Sequence, residues 1–188
     1  MFVRISKPPR ANPAFGFSIA VLAVAVSLIA ASPAAAVPKC DGERATIVGQ
    51  SAGNENLIGT SGDDVIKARG GDDDLKGKRG DDKLCGNGGE NDTFGGRGKD
   101  TLKTKEGVDF LQGDEGADKH FGGGGGDQLQ ADVGGGTDLA KGGGGDDSIN
   151  VQDLAGGDTA NGGDGASDAC TVDGGDTHTE CEVVTVVV

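Results

Sequence analysis

The chain has 188 residues, including 38 Gly, 31 Asp or Glu against 17 Lys or Arg, 6 Phe and neither Trp nor Tyr. A net charge of −14 with so few large apolar side chains argues against a conventional globular core, and such a chain repels nucleic acid and anionic membranes while attracting cations. Two outcomes remain, disorder or a fold whose missing cohesion comes from bound cations and disulfides.

Residues 1–13 carry Arg4, Lys7 and Arg10 and no acid, residues 14–31 carry no charge, and Ala34-Ala35-Ala36 offers the small side chains of a cleavage site. This layout predicts a signal peptide over 1–36. An uncleaved membrane anchor is the alternative, because an apolar stretch of this length just reaches across a bilayer. After cleavage the charge is −17, and 27 of the 152 remaining residues are Leu, Ile, Val or Phe, a share below the roughly 20% under which a highly charged chain usually stays disordered. A signal peptide implies a secreted, extracellular protein in oxidising surroundings. There Cys40, Cys85, Cys170 and Cys181 form two disulfides by one of three pairings.

Order or disorder is decided by periodicity. Written in nines from Gln50, the chain gives nine successive rows with Gly in the fourth place, from Gly53 to Gly125. The sixth place holds an acid or amide throughout: Glu55, Asp64, Asp73, Asp82, Asn91, Asp100, Asp109, Asp118 and Asp127. The eighth is aliphatic in seven rows, with Thr93 and His120 as exceptions. Register slips at Ala131-Asp132, after which further rows bring Asp138, Asp147 and, more loosely, Asp158 to the sixth place. Placement this regular marks a solenoid built from short repeats.

The pattern Gly-Gly-x-Gly-x-Asp-x-apolar-x resembles the RTX, or haemolysin-type, calcium-binding nonapeptide of secreted bacterial proteins, over residues 50–161. Rows such as the one opening Ala68-Arg69 and the one opening Thr104-Lys105 depart from it in the first two places. The resemblance implies an all-β parallel β-roll (β-solenoid) of 18 residues per coil, with several calcium ions held between turns by aspartates and turn carbonyls.

The residues lead to a metal independently of the resemblance. A triplet such as Val65-Ile66-Lys67 makes a short strand whose middle side chain points one way and whose neighbours point the other, so the eighth place lines a thin core. The six residues between strands must turn sharply, and Gly supplies the φ > 0 conformations and bare carbonyls of such turns. An Asp oxygen fixed in every turn beside free carbonyls is a hard-oxygen ligand set, suited to Ca²⁺ rather than Zn²⁺ or copper. With two rows per coil, rows two apart stack, giving one acidic ladder through Glu55, Asp73, Asn91, Asp109 and Asp127 and another through Asp64, Asp82, Asp100 and Asp118. Rungs about 4.8 Å apart repel one another unless a cation stands between them. The predicted metal ligands are therefore Asp64, Asp73, Asp82, Asn91, Asp100, Asp109, Asp118, Asp127, Asp138, Asp147 and Asp158.

The expected order is a signal peptide (1–36), an N-terminal cap (37–49), a calcium-binding roll of five to seven coils (50–161) and a C-terminal cap with a disulfide (162–188). Cys85 takes the outward ninth place of its row, which favours a Cys40–Cys85 pair and leaves Cys170 with Cys181. No nucleophile elbow, catalytic dyad spacing or cofactor fingerprint occurs, so no catalytic residue is predicted. The expected function is an extracellular calcium-dependent structural or interaction module whose partner, a protein or a cell surface, is not written in the sequence. Rival readings are a hydrolase or lyase site on the roll surface, which needs clustered outward acids, His or Arg, and an adhesive or ice-binding face, which needs an outward ladder of Thr or aromatics. The seventh places read Asn, Val, Asp, Lys, Asp, Thr, Phe, Lys and Gln and supply no such ladder.

Overall fold

The computed structural model describes residues 36–50, 53–131, 134–153 and 156–188, and the expected signal peptide lies outside them except for Ala36. In chain order the strands are β1 (Lys39–Cys40), β2 (Glu43–Arg44), β3 (Ile47–Val48), β4 (Asn56–Ile58), β5 (Val65–Lys67), β6 (Asp74–Arg79), β7 (Lys83–Asn87), β8 (Asp92–Arg97) and β9 (Thr101–Thr104). There follow β10 (Phe110–Glu115), β11 (Lys119–Gly124), β12 (Gln128–Gln130), β13 (Leu139–Gly144), β14 (Ser148–Asn150), β15 (Thr159–Asp164), β16 (Ala169–Asp173), β17 (Thr177–Thr179) and β18 (Val183–Val187). β1 and β2 form an antiparallel hairpin. All the others belong to two parallel sheets of eight strands, the odd-numbered β3 to β17 in one and the even-numbered β4 to β18 in the other. The chain crosses from sheet to sheet at every turn and so winds as a β-roll. Turns that lead from the odd to the even sheet stack along one edge, here edge A. Turns that lead back stack along edge B.

The nine-residue period sets this winding. Val65 lies beside Lys83 and Lys83 beside Thr101, a coil of 18 residues. Further on the coil lengthens: Lys119 pairs with Leu139 and Ser148 with Ala169, while Ala169 pairs with Val183 after a shortened final coil. Eight strands per sheet exceed the five to seven coils expected, because 162–188, read from sequence as a cap, contributes β16, β17 and β18 to the two sheets. Strands are also longer than the expected triplets. β6, β8 and β10 run for six residues because stacked turns bring their backbones into register, with Lys78 beside Gly96 and Gly96 beside Asp114.

The eighth place of each row faces inward. Ile66, Leu84 and Leu102 from the odd sheet and Leu75, Leu111 and Leu129 from the even sheet have no exposed surface, each contributing roughly 2 kcal/mol of apolar burial. The core falls into two clusters, Ile66 with Ala68, Leu75 and Leu84, and a longer one from Leu102 to Val172. Thr93 takes the even-sheet core slot between Leu75 and Leu111, and His120 takes one in the odd sheet; both are fully buried. Disulfides join Cys40 to Cys85 and Cys170 to Cys181. Lys67 Nζ donates to the Lys39 carbonyl at 2.6 Å and Lys83 pairs with Glu43, so the hairpin lies against the outer face of the odd sheet rather than across an open end. β3, inside the segment read as a cap, is the first strand of that sheet.

Candidate metal centre

The edge-B turns 77–82 and 95–100 are each shaped by two glycines with different duties. The fourth-place Gly bends the chain: Gly80 and Gly98 have φ of +107° and +138°, a region open to Gly at little cost. That place is also crowded, since a Cβ on Gly98 would run into the Gly80 carbonyl of the preceding coil. The first-place Gly leaves a cradle. Beside Gly59 an ideal Cβ would stand 2.6 Å from the Gly77 carbonyl oxygen and 2.9 Å from Asp64 Oδ2, and beside Gly95 it would stand 2.5 Å from Asp100 Oδ2 and 2.8 Å from the Gly113 carbonyl oxygen. At Gly59, Gly77 and Gly95 on edge B a carboxylate oxygen and a carbonyl from the next coil thus converge on the space a side chain would fill.

The two oxygens of each sixth-place carboxylate do different work. Oδ1 clamps coils together by accepting from the backbone N–H of the rung before it. Along edge B the donors and acceptors are Asp64 to Asp82 (2.7 Å), Asp82 to Asp100 (2.8 Å), Asp100 to Asp118 (2.7 Å), Asp118 to Asp138 (2.6 Å) and Asp138 to Asp158 (2.7 Å). Along edge A they are Glu55 to Asp73 (2.8 Å), Asp73 to Asn91 (3.2 Å), Asn91 to Asp109 (2.7 Å), Asp109 to Asp127 (2.9 Å) and Asp127 to Asp147 (2.8 Å). Oδ2 is a different matter. In Asp73, Asp82, Asp100, Asp109, Asp118, Asp127, Asp147 and Asp158 it is buried and receives no hydrogen bond. Asp64 is an exception, its Oδ2 accepting from the backbone N–H of Thr60 at 2.6 Å and from the Thr60 hydroxyl at 2.9 Å.

A buried carboxylate oxygen without a donor costs several kcal/mol as an anion, and the group answers by holding its proton. Burial, reinforced by carboxylates on adjacent coils, pushes Asp100, Asp127 and Asp138 up to about 7 and Asp82, Asp118, Asp147 and Asp158 up to about 6. The backbone N–H on Oδ1 opposes the rise without cancelling it. Among the described residues no three Asp, Glu, His or Cys side chains gather into one cluster. A cation here would therefore draw on paired aspartates from successive coils and on carbonyls such as those of Gly77, Gly95 and Gly113. The residues fit a hard divalent ion: acidic, oxygen-only, repeated, and short of positive charge. Ca²⁺, when bound, supplies that charge and takes up the free oxygens.

All eleven residues expected as ligands lie on the two ladders. Two further rungs escaped the sequence pattern. Asp147 N–H donates to Asp168 Oδ1 at 2.8 Å, and Asp158 N–H to Asp176 Oδ1 at 3.1 Å; Asp168 also keeps a buried Oδ2 without a donor. The Gly162-Gly163 pair announces the turn that ends at Asp168, but one extra residue in it breaks the count of nine. Asn91, within an Asn-Asp-Thr sequon, is only 1% exposed and cannot serve as a glycosylation acceptor in the folded state. Cys170 and Cys181, joined to each other, leave His178 without thiolate partners for a zinc site.

Residues 50–84 and 94–129 match the family model of the RTX calcium-binding nonapeptide repeat (4 copies). No curated protein and no solved structure matches the chain. The chain carries RTX-type repeats, and repeats of this family bind calcium, several ions to a chain.

Proposed function

We propose that this protein is a secreted calcium-binding repeat protein that folds as it takes up the ion and serves outside the cell as a structural or interaction module. The observation that carries the reading is the row of buried Oδ2 atoms without donors, at Asp82, Asp100, Asp118 and Asp158 on edge B and at Asp73, Asp109, Asp127 and Asp147 on edge A. One buried Leu or Ile per nine residues is a thin core to set against the conformational entropy of nine ordered backbones, so cohesion must come from elsewhere. Ions shared between coils supply it, and binding and folding become one event. Two disulfides accord with an oxidising compartment.

Circular dichroism of the chain lacking residues 1–36, first in EGTA and then through a calcium titration, tests the reading. A coil spectrum that turns to β with calcium and not with magnesium is expected, since Mg²⁺ sheds its waters reluctantly and demands a rigid octahedron. A β spectrum that persists unchanged in chelator would overturn it.

A further inference from the structure

The two edges of the roll differ in a way the repeat pattern hides. On edge B the turns 77–82, 95–100 and 113–118 each open with Gly, and the Oδ2 atoms of Asp82, Asp100 and Asp118 face their cradles with no donor. On edge A the corresponding turns open with Ala68, Gly86 and Thr104. Beside Gly86, where edge B presents a carbonyl oxygen of the next coil, an ideal Cβ would stand 2.9 Å from the methyl of Thr104 and 2.9 Å from Cγ of Asn91. Carbon fills the cradle.

Several oxygens around that cradle already accept a hydrogen, while Oδ2 of Asp73 and of Asp109, on the turns before and after it, stay without a donor. Asn91 Nδ2 donates to the Gly89 carbonyl at 3.0 Å and to Asp109 Oδ1 at 3.0 Å. Thr104 Oγ1 donates to the Gly122 carbonyl at 2.6 Å, and Asn87 Nδ2 to the Ala68 carbonyl at 2.5 Å. Three turn carbonyls and one carboxylate oxygen thus receive a hydrogen where edge B would receive a cation. The hydrogen carries the partial positive charge the oxygen needs, and it stands in the way of an ion. Charge agrees with geometry: the neutral amide of Asn91 separates Asp73 from Asp109 by two coils, about 10 Å, and removes the nearest-rung repulsion that a cation would otherwise offset. The same stretch interrupts the apolar core at Thr93, so polar side chains replace both the ions and part of the hydrophobic column there.

We infer that the turn of edge A from Gly86 to Asn91 is closed by side chains, those of Asn87, Asn91 and Thr104, and takes no ion, while edge B at Asp82, Asp100 and Asp118 and the later turns of edge A around Asp127 and Asp147 carry the calcium. The inference rests on the calcium reading above and adds where the ions sit. It makes the middle of edge A a seam that holds its shape by hydrogen bonds at low calcium, next to the coil anchored by Cys40–Cys85.

The test is a count of bound calcium by equilibrium dialysis on the full disulfide-bonded mature chain, on Asp100→Asn, and on the double variant Asn91→Asp with Thr104→Gly. Asp100→Asn is expected to lose at least one ion, and the double variant, which restores the carboxylate and reopens the cradle, to gain at least one. Circular dichroism in saturating calcium reports whether each protein is folded, and Asn91→Asp alone, nearly isosteric, replaces the double variant if the latter is not. An unchanged count in the opened variant beside a loss in Asp100→Asn overturns the seam and leaves the calcium reading standing. Absence of bound calcium from every protein overturns both.

Discussion

The backbone N–H of Asp82 donates to Oδ1 of Asp100 at 2.8 Å, one coil further along edge B, while the Oδ2 atoms of both residues lie buried with no donor. The clamp fixes the spacing of the rungs, and the same spacing crowds the charges. One carboxylate oxygen ties the coils together, and the other creates a demand for positive charge at the joint. Cohesion and metal dependence are in this way two consequences of a single residue's placement.

That placement gives the metal-free roll an unusual response to acid. Asp100, Asp127 and Asp138 are pushed up to about 7 in the folded state against an ordinary value of 3.8, chiefly by burial. A carboxyl whose folded pKa is raised destabilises the fold above that pKa and ceases to do so as pH falls towards the unfolded value, because the folded form then binds more protons. In EGTA, β content followed by circular dichroism should therefore rise as pH is lowered from 7.5 to 5. With calcium present the dependence reverses, because protons compete for the same oxygens, and the calcium needed for half-folding should be higher at pH 5 than at pH 7.5. A metal-free chain whose spectrum stays flat across that range would contradict the assignment of these groups.

Fourth-place glycines should be sharply unequal to one another. Gly98 has φ +138° and would drive a Cβ into the Gly80 carbonyl, whereas a Cβ on Gly62 meets nothing within 4 Å. Gly98→Ala combines backbone strain with a clash against rigid backbone and should cost about 2 kcal/mol or more, while Gly62→Ala should stay within about 1 kcal/mol of the parent. Urea denaturation at saturating calcium measures both, and equal effects would show that the turn does not stack as described.

Most of this architecture is legible in the sequence because one number, nine, controls it. Gly in the fourth place, Asp in the sixth and an apolar residue in the eighth together put Ile66, Leu84 and Leu102 in one column and Asp82 below Asp100. What the sequence hides lies where the period is not enforced by pairing. Rungs stand 20 residues apart at Asp118 and Asp138 and 21 apart at Asp147 and Asp168, so the ladder continues past the point where counting in nines fails. The seat of the N-terminal hairpin is a similar case. Lys67 and Lys103 stand on either side of Cys85 in one outward column of the odd sheet and Lys83 in the next, and they meet the Lys39 carbonyl, Asp41 and Glu43, a complementarity visible only once the coil is wound. The seam at Asn91 and Thr104 reads in sequence as a weak repeat, and only the donors they present show that the departure is compensated.

His120 is a flaw in the core with a predictable remedy. It fills a core slot with no exposed surface, neither ring nitrogen has a hydrogen-bond partner, and burial lowers its pKa to about 4, so the ring is neutral near pH 7. His120→Leu restores the apolar rung found on the adjacent coil at Leu102 and removes two unsatisfied nitrogens, for an expected gain of about 1–2 kcal/mol. The gain should be larger at pH 5 than at pH 7.5. A base whose folded pKa is depressed loses stability as pH falls below its unfolded value of 6.5, since the unfolded chain takes the proton first. Urea midpoints of parent and variant at the two pH values decide the matter, and a variant weaker than the parent at both would mean that the imidazole has a partner it needs.

The disulfides should contribute in proportion to the chain they close. Cys40–Cys85 spans 45 residues and Cys170–Cys181 spans 11. Loop-closure entropy then assigns about 4 kcal/mol to the first and about 3 kcal/mol to the second, drawn from the unfolded state. On the proposed coupling of folding to ion binding, such a loss appears as a higher calcium requirement, because more ligand free energy is needed to reach the same folded fraction. Replacing Cys40 and Cys85 by Ser should therefore raise the calcium concentration at half-folding more than replacing Cys170 and Cys181. The first pair also fastens the hairpin to the odd sheet at Cys85, so its loss frees that element as well. Calcium titrations of the two double variants followed by circular dichroism give the ordering directly, and a larger shift from the Cys170–Cys181 pair would show that the C-terminal coils, not the N-terminal anchor, limit assembly of the roll.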